Sequence, residues 1–264
     1  MREGPADELT LTENAQPALM AVSIAVTRTL REEMGAGVDG AAFVAGHSLG
    51  EYSALAAVDA MTLAQTAVLL KLRGQAMQRA VPVGTGAMAA LLGLDIEAAE
   101  EIAGEAEQGE VCDVANDNGA GQVVVSGHRA AVERAVALAQ GRGAKRAVML
   151  NVSAPFHCAL MGPAAETMRA ALDQVEITAA AVPVVANVLA APIREPAAIR
   201  DALVRQVTGT VRWRECVAAM AAAGVDAFYE VGTGKVLSGL VKRIASGATA
   251  TSIGTPADIA AFRL

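Results

Sequence analysis

At 264 residues, with 53% hydrophobic and only 3% aromatic content, the chain can form one large domain or two small ones around small and branched aliphatic side chains. A formal net charge of −7 excludes nucleic acid as a general partner. Cys112, Cys158 and Cys216 lie far apart with no Cys-x-x-Cys pair, which excludes a disulfide framework and a zinc cluster and fits a reducing cytosol. The polar opening, Met1 to Glu8, is not a signal peptide. The longest apolar stretch, Ile177 to Pro192, is interrupted by Thr178, Pro183 and Asn187 and is too short for a bilayer. These features predict a soluble, cytoplasmic protein with no membrane partner and no metal.

In chain order, Pro17 to Met34 reads as a helix with proline in its first turn and Gly35 as its stop. The apolar run Ala41 to Ala45 reads as a strand. Gly46-His47-Ser48-Leu49-Gly50 follows, and Glu51 to Ala57 reads as a helix. Thr62 and Gln65 form a capping-box pair opening a helix that reaches about Arg79. Pro82, Gly84 and Gly86 then punctuate the chain. A different rhythm begins there: strand 87–94, helix 96–107, strands 111–115 and 122–126 around a turn, helix 129–140 and strand 146–152. That β-α-β-β-α-β order is the ferredoxin-like pattern. It predicts a subdomain over 87–152 inserted into an α/β body made of 1–86 and 153–264. Beyond it come helix 166–175, strand 182–188, helices 197–206 and 216–223, strand 227–231 and a last helix 236–245. Such alternation implies a mostly parallel, covered sheet.

Strand, Gly-flanked turn and helix is the context of a Gly-x-Ser-x-Gly nucleophile elbow, so Ser48 is the candidate nucleophile. A serine needs a base, and there are three histidines. His47 sits inside the elbow with its side chain pointing elsewhere. His128 opens a surface-looking helix, where capping or solvent exposure is the expected role. His157 remains, in the stiff loop Ser153-Ala154-Pro155-Phe156-His157, as the candidate base. Arg73 stands with Leu69 and Met77 on an otherwise apolar helix row. Spacing leaves two readings of it equally open: a structural salt bridge, or a fork of donors for a substrate carboxylate. Gly232-Thr233-Gly234-Lys235 lacks phosphate-loop spacing and reads as a turn.

Taken together, these stretches resemble the malonyl-CoA:acyl carrier protein transacylases of fatty-acid synthesis. The residues that carry the resemblance are Gly46 to Tyr52, Arg73-Gly74 with Met77-Gln78, Gly84 to Met88, Gln122 to His128, Pro155 to Cys158, and Glu230 to Gly232 with Gly234 to Leu237. The resemblance implies an α/β-hydrolase-like body with a ferredoxin-like subdomain and a two-step acyl transfer. Ser48 would take malonyl from malonyl-CoA and pass it to the phosphopantetheine thiol of acyl carrier protein, with no cofactor. Arg73 would pair with the malonyl carboxylate, and Met77 and Phe156 would line the acyl site. Leu49 N–H would be an oxyanion donor, Asn116 and Asn118 would lie near the cleft, and a backbone carbonyl at Ala223 would orient His157. Lys145, Arg146, Lys235, Lys242 and Arg243 are candidates for meeting the acidic carrier protein. One departure stands out: members of that family begin with a strand ending in a Gly-Gln-Gly-Ser-Gln turn, and the sequence opens inside that pattern. The departure implies one oxyanion donor in view instead of two and a bared strand edge, and it is open to three readings: a mis-assigned start, a truncation, or a fragment with impaired turnover. Two other readings accompany the transferase: a serine esterase or thioesterase sharing the elbow, and a fragment that binds without turnover.

Overall fold

The computed structural model describes residues 4–263. Among them no helix is long and apolar enough to cross a membrane. The chain opens with α1 (Ala6–Thr10) and α2 (Thr12–Met34). The second helix starts five residues before the predicted Pro17, which sits inside it, and ends as expected at Gly35 in a left-handed conformation. The strand-to-helix unit is β1 (Val44–Ala45) and α3 (Leu49–Ala57); α4 (Leu63–Arg79) follows, closed at its start by the Thr62–Gln65 capping box.

The predicted subdomain elements are all present: β2 (Gly86–Leu92), α5 (Ile96–Glu107), β3 (Cys112–Asp117), β4 (Gln122–His128), α6 (Arg129–Gly141) and β5 (Arg146–Met149). Their sheet has the order β3-β4-β2-β5 with every pairing antiparallel, the ferredoxin-like arrangement. Its core, between the sheet and the two helices, is aliphatic: Leu91, Ile102, Val123, Val125 and Val132 are buried among alanines.

In the body, α7 (Gly162–Asp173) leads to β6 (Val184–Ala186), which lies parallel to β1. Four short elements escaped the sequence reading: α1 and three later ones, two of them beyond the helix read as final. β7 (Ala191–Ile193) folds back antiparallel on β6, so this sheet, of order β1-β6-β7, is not wholly parallel. Later, α8 (Pro196–Thr208), α9 (Trp213–Ala222), β8 (Ala227–Val231) and α10 (Val236–Ile244) are followed by β9 (Thr249–Ile253) and α11 (Pro256–Ala261), with β9 parallel to β8. Among the described residues β1 pairs on one side only. The body therefore holds α3, α4 and α8 around the C-terminal end of β1, where Ser48 sits.

Candidate active site

The turn after β1 depends on one glycine. A Cβ on Gly46 would lie 2.0 Å from both the carbonyl carbon and the oxygen of Gly50, so only glycine lets the chain double back onto α3. A Cβ on Gly50, by contrast, would meet nothing within 4 Å. Ser48 takes φ 51° and ψ −107°, a conformation that costs an L residue on the order of 1–3 kcal/mol. Hydrogen bonds hold it there: Ser48 N–H donates to Asn187 Oδ1 (2.7 Å), and Asn187 Nδ2 donates to Gly46 O (2.9 Å). The N–H of Leu49 opens α3 and has no acceptor among the described residues, leaving a donor at the positive end of a helix beside the serine.

His157 lies between β5 and α7 with φ 57°. Its loop is wedged in place, since a Cβ on Gly86 would come 2.2 Å from Pro155 Cγ, and Ala159 N–H donates to Asp113 Oδ2 at 2.7 Å. The ring bridges two oxygens: Nδ1 lies 2.8 Å from Gln206 O and Nε2 2.8 Å from Ser48 Oγ. A carbonyl can only accept, so Nδ1 carries the proton and the Nε2 lone pair faces the serine hydroxyl. The carbonyl is that of Gln206, on α8, and not that of Ala223. Ala223 lies exposed at the end of α9, where its own N–H caps that helix. Burial, reinforced by the Arg73 guanidinium, pushes His157 down to about 3, so the ring is neutral and able to accept a proton.

Arg73, on α4, is only 2% exposed. Its Nη2 donates to Ser48 Oγ (3.0 Å) and to Gln206 Oε1 (2.9 Å), and its Nη1 donates to Gln16 Oε1 (2.7 Å). The guanidinium also faces the Tyr52 ring at 5.7 Å, and Nε has no partner among the described residues. Every one of these partners is neutral, and among the described residues Arg73 makes no salt bridge. A buried cation held by neutral groups, with a spare donor and 3.0 Å from the nucleophile, can receive a carboxylate carried by the group that reacts with Ser48.

Met77 is buried one turn beyond Arg73, its Sδ 4.0 Å from Gln16 Nε2, while Phe156 is half-buried beside His157. Asn116 is buried in β3 with no side-chain hydrogen bond to a described group; Asn118 Oδ1 accepts from His47 Nε2 at 2.9 Å. That bond and the Trp213 ring, 5.7 Å away, turn His47 aside from Ser48, as its place in the elbow suggested. His128 differs from expectation: it makes no capping bond, and its Nδ1 accepts the Val111 N–H (2.9 Å), tying the start of β3 to the end of β4. Lys145, Arg146, Lys235, Lys242 and Arg243 are all exposed. Gln16, Asn187 and Gln206 were not foreseen from the sequence. Asn187 is a polar residue set within an apolar stretch, the one signal that could have flagged it; Gln16 and Gln206 have polar or charged neighbours and carry no such signal.

A family model for the acyl transferase domain matches residues 1–257. The chain is 47% identical over 260 residues to the malonyl CoA-acyl carrier protein transacylase of Escherichia coli (strain K12), covering 98% of this chain and 83% of that one. Among solved structures, acyl-carrier-protein-S-malonyltransferase from Bartonella henselae superposes with TM-score 0.95 at 55% identity, covering 98% of this chain and 82% of the other. A type II PKS acyl-carrier protein in complex with its malonyl-transacylase matches with TM-score 0.94 at 43% identity over 98% and 82% of the respective chains. An acyl transferase model spanning nearly the whole sequence, and relatives of this identity and coverage, place the chain in the acyl transferase domain family.

Proposed function

We propose that this enzyme moves a malonyl group from malonyl-CoA to the phosphopantetheine thiol of acyl carrier protein, in the cytoplasm and without a metal or cofactor. The observation that carries the reading is Arg73, a buried guanidinium with only neutral partners, 3.0 Å from Ser48 Oγ. Ser48 Oγ attacks the thioester carbonyl while its proton passes to His157 Nε2. The Leu49 N–H lies where it can donate to the oxyanion, and the tetrahedral species expels the CoA thiolate, which takes the proton from His157. The carrier protein's thiol then gives its proton to His157 and attacks the Ser48 ester, and the serine oxygen leaves with that proton. Arg73 holds the malonyl carboxylate throughout. An acetyl group would leave the buried cation without its anion and so forfeit that interaction. Met77, Phe156 and Asn116 line the acyl group and its approach. In this reading the body, residues 1–86 and 153–264, carries the chemistry, and the subdomain, 87–152, closes one side of the cleft with Asn116 and Asn118.

Incubation with malonyl-CoA, followed by mass spectrometry of the intact protein and its peptides, tests the reading. A malonyl ester on the Ser48 peptide that is discharged by carrier protein faster than by water is the expected result. Absence of the adduct in the unmodified chain, or its persistence in Ser48→Ala, contradicts it. Discharge to water at an equal rate would favour the esterase reading.

A further inference from the structure

Glu51 sits in α3, one turn past the nucleophile, and is 1% exposed. A buried carboxyl is expensive unless it is paired or hydrogen-bonded, and no cation lies within ion-pair distance of this one among the described residues. Burial pushes it up to about 7. Its Oε2 accepts two bonds, from Asn187 N–H at 2.9 Å and from Gln206 Nε2 at 2.8 Å. Both donors belong to residues that touch the reacting groups directly. Asn187 takes the Ser48 N–H on Oδ1 and gives Nδ2 to Gly46 O, gripping the strained turn on both sides of the serine. Gln206 offers its backbone oxygen to His157 Nδ1, its Oε1 to Arg73 Nη2, and its Nε2 also to Ser48 O at 3.1 Å. One carboxylate therefore stands behind the serine, the histidine and the arginine at once.

We propose that Glu51 is a positioning residue: through Asn187 and Gln206 its carboxylate holds the Ser48 turn, the His157 ring and the Arg73 guanidinium in mutual register. The proposal rests on Ser48 being the nucleophile but not on which acyl group it takes. A carboxyl group suits the task because one of its oxygens can accept from both residues at once. Misplacing the reacting groups by about 1 Å costs on the order of 10²-fold in rate, so the effect of losing Glu51 should be kinetic first.

The test uses the full chain with Glu51→Ala, Glu51→Asp, Glu51→Gln and Asn187→Ala, each checked for folding by circular dichroism. A serine-reactive fluorophosphonate reports Ser48 nucleophilicity independently of the acyl group, and malonyl-CoA kinetics report kcat and KM. Glu51→Ala and Asn187→Ala should each lose about 10²-fold in labelling rate and kcat, with KM changed by less than about threefold. Their double variant should lose less than the product of the two single losses, because both loosen the same Ser48 turn, one through the Asn187 backbone N–H and one through its side chain. Glu51→Gln keeps an acceptor oxygen in place and should recover most of the rate; Glu51→Asp, with the carboxyl drawn back by one methylene, should not. Folded Glu51→Ala or Glu51→Asp labelled at the unmodified rate would overturn the proposal, as would losses confined to KM or multiplying in the double variant. If Glu51→Ala fails to fold, Glu51→Asp and Asn187→Ala decide on the same criteria. An unmodified chain that reacts with the phosphonate but not with malonyl-CoA would refute the malonyl reading and leave the role of Glu51 standing.

Discussion

Around Ser48 the body buries Gln16, Glu51, Arg73, His157, Asn187 and Gln206 in one hydrogen-bonded group, whereas the subdomain packs α5 and α6 onto its sheet with apolar side chains, nearly all aliphatic. The two regions share a chain, yet their interiors answer different demands. The subdomain's packing is forgiving in kind: hydrophobic side chains of suitable volume satisfy it, and losing one costs stability in proportion to the void left. The polar group under the elbow has no such tolerance, because each donor and acceptor is matched to a particular partner in a place water does not reach. The subdomain's interior serves stability, and the polar group under the elbow serves catalytic geometry.

Substitutions can break that division in a graded way. The largest effect is expected at Gly46, where a Cβ would collide with backbone of Gly50 at 2.0 Å. Gly46→Ala should shift the turn and lower Ser48 acylation by at least about 10²-fold, measured by the burst of CoA release. Next comes Leu91, fully buried in β2 of the subdomain. Leu91→Ala should cost about 2–5 kcal/mol by urea unfolding while leaving the acylation rate of the folded protein nearly unchanged. A tenfold loss of rate in that variant would show that the two interiors are not separable. The smallest effect is expected at Gly50, the other glycine of the motif, where a Cβ meets open space inside a helix. Gly50→Ala should be neutral to stabilising by up to about 1 kcal/mol in the same unfolding assay, with acylation retained.

The same contrast explains what could be read from the sequence. The subdomain was legible almost element by element, because each strand and helix there follows its own local period and ends at glycine or polar turns, as at Asp117 to Gly121. The elbow and His157 stood out as well, from a short motif and an elimination among three histidines; Arg73 showed only as a charge on an apolar helix row, whose role spacing left open and the family resemblance supplied. Their supports were not legible. Arg73 reaches Gln206 across 133 positions and Ser48 reaches Asn187 across 139, and no local pattern encodes such a meeting. The resemblance implies a carbonyl at Ala223 for orienting His157, whereas the fold brings α8 and the Gln206 carbonyl to it. Pro17 misled for a related reason: its fixed φ suits a helix start, but α2 accommodates it five residues in. The three-residue β7 is too short to leave a period of its own.

The central claim is that Arg73, hydrogen-bonded only to neutral groups, is reserved for a carboxylate on the acyl group. Measuring kcat/KM for malonyl-CoA against acetyl-CoA, in the unmodified protein and in Arg73→Ala, tests it most directly. The unmodified protein should prefer malonyl strongly, and the variant should lose about 10²-fold of that preference, chiefly through malonyl-CoA. An Arg73→Ala protein that is folded, acylated at Ser48 and still as selective for malonyl would contradict the account.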